Sequence, residues 1–116
     1  MEYWHMGMAV VRPEVPGDVA AIHAVHAASF PGVDEAGLVE FLRDAGRLSV
    51  SLVAEIDGEI VGHVAFSPVI VASGAIGAGL APLAVIESYR RRGVAAELIR
   101  GGLAKCRVAG FCWAVV

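Results

Sequence analysis

Three consecutive arginines, Arg90, Arg91 and Arg92, precede Gly93 and the small residues Ala95 and Ala96. They stand between an apolar run that closes near Ile86 and a segment with one apolar face at helical spacing: Ala95, Leu98, Ile99, Gly102, Leu103 and Cys106. A helix start leaves its first backbone N–H groups without partners and bears the positive end of the dipole, so it attracts phosphate. The arginines add full charges there, and Gly93 permits close approach of a ligand to the backbone. The pattern predicts a phosphate-binding strand–turn–helix in which N–H groups from about Arg91 to Ala96, Val94 included, cradle a phosphate.

Other side chains of chemical interest are weaker. His63, within an extended run, and Glu87, at the head of the basic turn, are the candidates for a proton-transfer role. Ser67 has a smaller claim. A strand histidine is more often packed, and a carboxylate beside arginines more often a solvated partner. His23 and His26 stand three apart on a helical segment, but two ligands short of a metal site they read as helix-surface residues, and no metal is expected. Glu35, Glu40 and Asp44 form an acidic stripe that reads as a solvated face. Gly77-Ala78-Gly79 precedes a strand and not a helix, which excludes a dinucleotide loop.

The elements that must position these residues follow from periodicity and punctuation. Residues 1–7 are patternless and read as a loose leader; Met8–Arg12 reads as a short strand closed by Pro13. Asp18 is placed to cap a helix through Ser29, and Asp34 a second helix to Gly46. Leu48, Val50, Leu52, Ala54 and Ile56 alternate as a strand with one buried face, and Asp57-Gly58 is a hairpin turn. The return strand runs from Glu59 to Ser67, breaks at Pro68 and resumes over Val69–Val71. A strand over Gly79–Ile86 holds Pro82, which has no N–H for a ladder and predicts a bulge or an unpaired side. After the long helix, Phe111–Val116 forms a last strand, parallel to its predecessor through a right-handed crossover. The order is β-α-α-β-β-β-α-β, an α/β class with a mixed sheet.

At 116 residues the chain suits one domain, and 57% hydrophobic with 18% charged residues is a globular composition. A net charge of −3 argues against nucleic acid, and no run is long enough to span a membrane. Cys106 and Cys112 are expected to be reduced and mostly buried, and the absence of a signal-like start predicts a cytoplasmic protein.

Arg90-Arg91-Arg92-Gly93-Val94-Ala95 resembles the R/Q-x-x-G-x-G/A signature of the GNAT superfamily of N-acetyltransferases, with Ala for the commoner last Gly. The element order is that of the first five GNAT strands, over residues 8–116. The phrase Ile60-Val61-Gly62-His63-Val64, followed by Phe66-Ser67-Pro68-Val69, is similar to one subgroup of predicted N-acetyltransferases. The resemblance implies acetyl-CoA as cosubstrate, pantetheine paired to the backbone of Leu83, Ala84 and Val85, and the Val85 amide polarising the thioester. It further implies direct attack by a primary amine of a small molecule or peptide, and places the loop Phe30–Asp34 near that amine. Many relatives carry a glutamate on the fourth strand; none occurs here between Gly77 and Ile86. A complete GNAT domain continues with a helix, usually two more strands, and a tyrosine that protonates the thiolate, so this chain reads as a partial domain. The rival expectation is a truncated, catalytically silent CoA-binding or partner-dependent module. Phe111–Val116, apolar on both faces, would then favour a homodimer.

Overall fold

The structure is a computed structural model and describes residues 4–6, 9–29, 34–70, 72–111 and 113–115. Six strands form one sheet in sequential order: β1 (Trp4–Met6), β2 (Ala9–Pro13), β3 (Val50–Ile56), β4 (Glu59–Ile70), β5 (Ile76–Val85) and β6 (Ala114–Val115). The first five are antiparallel neighbours; β6 runs parallel to β5, as expected from the crossover. Helices α1 (Val19–Ser29) and α2 (Asp34–Asp44) connect β2 to β3, and α3 (Val94–Val108) connects β5 to β6. None of the described helices is long and apolar enough to cross a membrane.

Asp57 and Gly58 both have positive φ, 52° and 80°, the geometry of a two-residue hairpin whose twist matches its strands. Val64 pairs with Leu83 but Phe66 with Leu80, so β5 carries one extra residue over Ala81-Pro82. This is the expected bulge. The predicted break at Pro68 does not occur, and β4 continues to Ile70. Its neighbour β3 begins at Val50, opposite Phe66, so past that point a residue without an N–H interrupts no ladder on that side.

Other expectations need correction. Trp4–Met6, inside the expected leader, pairs with Val11–Ala9 as β1; three residues are too few for periodicity to declare. Pro16–Asp18 is a 3-10 turn ahead of α1, and Asp18 does not cap the helix. Its carboxylate accepts the Val15 N–H at 2.8 Å and pairs with Arg12 Nη1 at 2.7 Å. The last strand is shorter than Phe111–Val116, with Ala78 and Gly79 opposite Ala114 and Val115.

The sheet is covered on both faces. Leu98 of α3 packs over Leu52, Ala54, Ile56, Val64 and Phe66; beneath α1 and α2, Ile22 and Val39 close on Val53. The strand over 50–56 therefore has two buried faces, against the expectation of one. Ser51 and Glu55 disguise the second face in the sequence, because polar partners occupy them: Glu14 and His63 at Ser51, Arg12 at Glu55.

Candidate functional site

At the end of β5 the Ile86 N–H donates to the Val61 carbonyl at 2.8 Å. Antiparallel ladders alternate, so the backbone of Val85, and of Leu83 two residues earlier, is turned away from β4. The Val85 carbonyl instead accepts Arg90 Nε at 2.8 Å and, more weakly, Ser29 Oγ at 3.4 Å. On its other side β5 meets β6 only at Ala78 and Gly79, which leaves the backbone from Leu80 onward without a β6 partner among the described residues.

The chain then makes a 3-10 turn over Glu87–Tyr89 and enters α3 through Arg91 at φ 64° and Gly93 at φ 79°. A left-handed arginine costs about 1–2 kcal/mol, which the turn imposes. No side chain caps α3, whose first intrahelical bond runs from the Glu97 N–H to the Gly93 carbonyl at 3.1 Å. Its leading N–H groups are therefore presented outward with the positive end of the dipole.

Two adjoining recesses share Arg90. One of about 360 Å³ is lined by Ser29, Leu83, Ala84, Val85, Arg90 and Ala95. The other, about 380 Å³, is lined by Glu87, Arg90 and Arg91. Together they make a groove, apolar and backbone-lined at one end and charged at the other. It suits an extended ligand with a neutral arm and an anionic head. Most of the predicted binding residues converge here. Val94, by contrast, is buried and packs in the core, while the Arg92 guanidinium lies 5.3 Å from the Tyr89 ring centroid. Ser29 carries no signal in the sequence, since nothing local in a helix-ending serine tells which strand it reaches.

His63 lies elsewhere. It is fully buried between α1 and the sheet, with Nδ1 2.8 Å from His26 Nε2 and Nε2 2.7 Å from Ser51 Oγ. Burial, then the adjacent His26 and Arg43, pushes it down to about 3; burial and His23 push His26 down to about 4. Both rings are neutral at pH 7. His26 is thus a core residue and not the helix-surface histidine expected, whereas His23 is partly exposed, 3.2 Å from Glu40 of the acidic stripe. Among the described residues no three His, Cys, Asp or Glu side chains gather as metal ligands. Cys106 is a buried free thiol, its pKa raised by burial. Cys112 and the loop residues Phe30–Val33 lie outside the described residues.

A sequence-family comparison settles the affiliation. The model of the acetyltransferase (GNAT) family matches residues 19–116. The chain belongs to this family. It is 42% identical over 104 residues to the uncharacterized N-acetyltransferase YhbS of Escherichia coli K12, a match that covers 88% of this chain and 62% of that protein. The chain therefore spans less than two thirds of that curated relative. The crystal structure of YhbS from Escherichia coli in complex with CoA superposes at a TM-score of 0.85, with 41% identity over 93% of this chain and 63% of that one. A GNAT family acetyltransferase from Brucella melitensis in complex with acetyl-CoA also gives 0.85, at 38% identity, covering 91% of this chain and 73% of that one. The GNAT fold expected from the sequence is the fold observed, with β1 ahead of the five anticipated strands.

Proposed function

We propose that this GNAT domain binds acetyl-CoA in the groove between β5 and the start of α3 and transfers the acetyl group to a primary amine. One observation supports it above the others: a strand edge that has no β6 partner from Leu80 onward among the described residues leads directly to an uncapped helix N-terminus flanked by Arg90 and Arg91. The pantetheine arm extends the ladder at Leu83–Val85. The pyrophosphate lies over the N–H groups of the first turn of α3, with Gly93 permitting the approach and the arginines supplying charge. Relatives of this chain have been crystallised with acetyl-CoA and with CoA, which favours the same cosubstrate here.

In the transfer, the amine nitrogen attacks the thioester carbonyl carbon and negative charge collects on its oxygen. The Val85 N–H, turned away from β4, is the donor we assign to that oxygen. The C–S bond then breaks, CoA leaves as a thiolate that takes up a proton, and the attacking nitrogen loses one. His63 receives no part in this step, because both its nitrogens are engaged inside the core. Glu87 faces the charged recess beside Arg90 and Arg91, a place for orienting the arginines more than for deprotonating an amine.

Calorimetry with acetyl-CoA on this chain and on an Arg90→Ala/Arg91→Ala variant tests the reading, with desulfo-CoA as the non-reactive control. A charge-assisted hydrogen bond to phosphate is worth about 1.5–3 kcal/mol, so the variant should bind at least about tenfold more weakly. Equal affinity in the variant, or no binding by a demonstrably folded chain, overturns it.

A further inference from the structure

Five residues on five different segments form a polar chain, partly exposed at Arg43, Glu14 and Ser51 and fully buried at the two histidines, that the transfer reaction does not use: Arg43 on α2, Glu14 after β2, Ser51 on β3, His63 on β4 and His26 on α1. Its direction follows from donor and acceptor capacity, given that burial keeps both imidazoles neutral. Arg43 grips Glu14 with two bonds, Nε to Oε2 at 3.0 Å and Nη2 to Oε1 at 2.9 Å, so Glu14 is a carboxylate and only accepts. The Ser51 hydroxyl must give its single proton to Glu14 Oε1. Its oxygen is then left to accept from His63 Nε2 at 2.7 Å. A neutral His63 with a proton on Nε2 has a lone pair on Nδ1, so His26 Nε2, 2.8 Å away, is the donor.

We infer that the Glu14 carboxylate fixes both His63 and His26 as Nε2–H tautomers, and that this one-way chain holds α1, with Ser29, in register against the end of β5. The second half of the inference rests on the proposed acetyl-CoA site. His63 pairs in register with Ala84, which lines that site, so both side chains share the α1 face of the sheet. Ser29 stands one helical turn beyond His26 and reaches the Val85 carbonyl. A rotation of the His26 ring would therefore be passed to the wall of the cavity. His26 and His63 are positioning residues, and neither touches the reacting atoms.

Glu14→Gln is the diagnostic variant, because it is nearly isosteric. An amide can donate to Ser51 as well as accept from it, so it permits the reversed chain, in which both imidazoles carry the proton on Nδ1. Heteronuclear NMR of the imidazole rings in the whole chain, without ligand, reads the tautomers; calorimetry reads acetyl-CoA affinity. The wild type should show Nε2–H on both rings, and Glu14→Gln a population of Nδ1–H with acetyl-CoA bound about threefold to thirtyfold more weakly. Ser51→Ala, which removes the middle link, should give the same two changes. An Nδ1–H tautomer on either ring of the wild type overturns the direction of the chain. Altered ring signals in both variants with unchanged affinity overturn the positioning role. A wild type with both Nε2–H tautomers but no acetyl-CoA affinity overturns the function reading, and the positioning role with it, while the direction of the chain stands.

Discussion

Arg90 folds back so that its Nε donates to the Val85 carbonyl at 2.8 Å, which ties the basic turn to the end of the strand it follows. The first arginine of the signature thus shapes the groove as well as charging it. Arg91 differs, since its side chain lies against the charged recess while its backbone is held left-handed at φ 64°.

Replacing Arg91 by glycine separates these contributions. Glycine adopts the left-handed region without the cost of about 1–2 kcal/mol carried by other residues, and this offsets the entropy it adds to the unfolded chain. The melting temperature of Arg91→Gly should therefore not fall, while acetyl-CoA affinity drops about tenfold with the lost charge. Arg90→Ala should lower both. Thermal melts and calorimetry on the two variants decide it; a destabilised Arg91→Gly would contradict the strain argument.

The neutral histidine pair makes the fold acid-sensitive well above the carboxylate range. His26 has its pKa lowered from 6.5 to about 4 and His63 from 6.5 to about 3, so between those values and 6.5 the unfolded chain binds more protons than the folded one. Stability is complete above 6.5 and falls as pH decreases from there; for His26 alone the loss by pH 4 is roughly 3 kcal/mol. The charged groups around the pair modify the effect. Arg43 and His23 disfavour protonation, and Asp18 favours it at His63. Asp18, held low chiefly by its hydrogen bond to Arg12, withdraws its contribution only at still lower pH, below its ordinary 3.8. Denaturant titrations at pH 7, 5.5 and 4.5 should show a progressive loss, and His26→Gln should flatten it. A stability curve level down to pH 4 would refute the assignment of neutral buried rings.

Much of this architecture is visible in the sequence because it is local. The Asp57-Gly58 turn needs two left-handed residues and has them; the bulge at Pro82 follows from a missing N–H; the arginine turn and α3 follow from spacing and charge. What stayed hidden is long-range. His26 and His63 are 37 positions apart, Glu14 and Ser51 also 37, and no periodicity announces that such polar residues satisfy one another in a core. Ser51 and Glu55 made the second face of β3 look solvated. Pro68 misled in the other direction, since a strand neighbour that stops short removes the usual penalty. The charged residues of the groove were legible, whereas Ser29, which completes it, depends on how α1 docks.

Trp113 packs on Gly77 where β6 meets β5. A Cβ built at Gly77 falls no farther than 2.5 Å from three atoms of the indole, and the neighbouring Ala78 N–H donates to the Trp113 carbonyl at 3.0 Å. Gly77→Ala must push the indole away and loosen β6, so tryptophan emission should shift toward the solvent-exposed range and amide exchange at Ala78 should accelerate. Unaltered emission would mean that the indole does not pack on Gly77 in solution.

Two glycines inside helices provide a test of the α3 face with opposite signs. Alanine is the better helix former by about 1 kcal/mol wherever the added methyl has room. Gly37 in α2 has nothing within 4 Å of an added Cβ, so Gly37→Ala should stabilise by about 0.5–1 kcal/mol. Gly102 in α3 lies on Phe66: the new Cβ would stand 3.1 Å from Cδ1 and from Cζ, and closer still to Cε1. Phe66 is fully buried among Leu52, Val64 and Leu98, with no space to rotate into. Overpacking costs typically about 1–3 kcal/mol, which outweighs the gain in propensity, so Gly102→Ala should destabilise. Because α3 also presents the first-turn N–H groups to the groove, the same variant should weaken acetyl-CoA binding, whereas Gly37→Ala should leave it unchanged. Urea titrations and calorimetry on the pair provide both comparisons, and a stabilising Gly102→Ala would mean that α3 sits farther from the sheet than this packing requires.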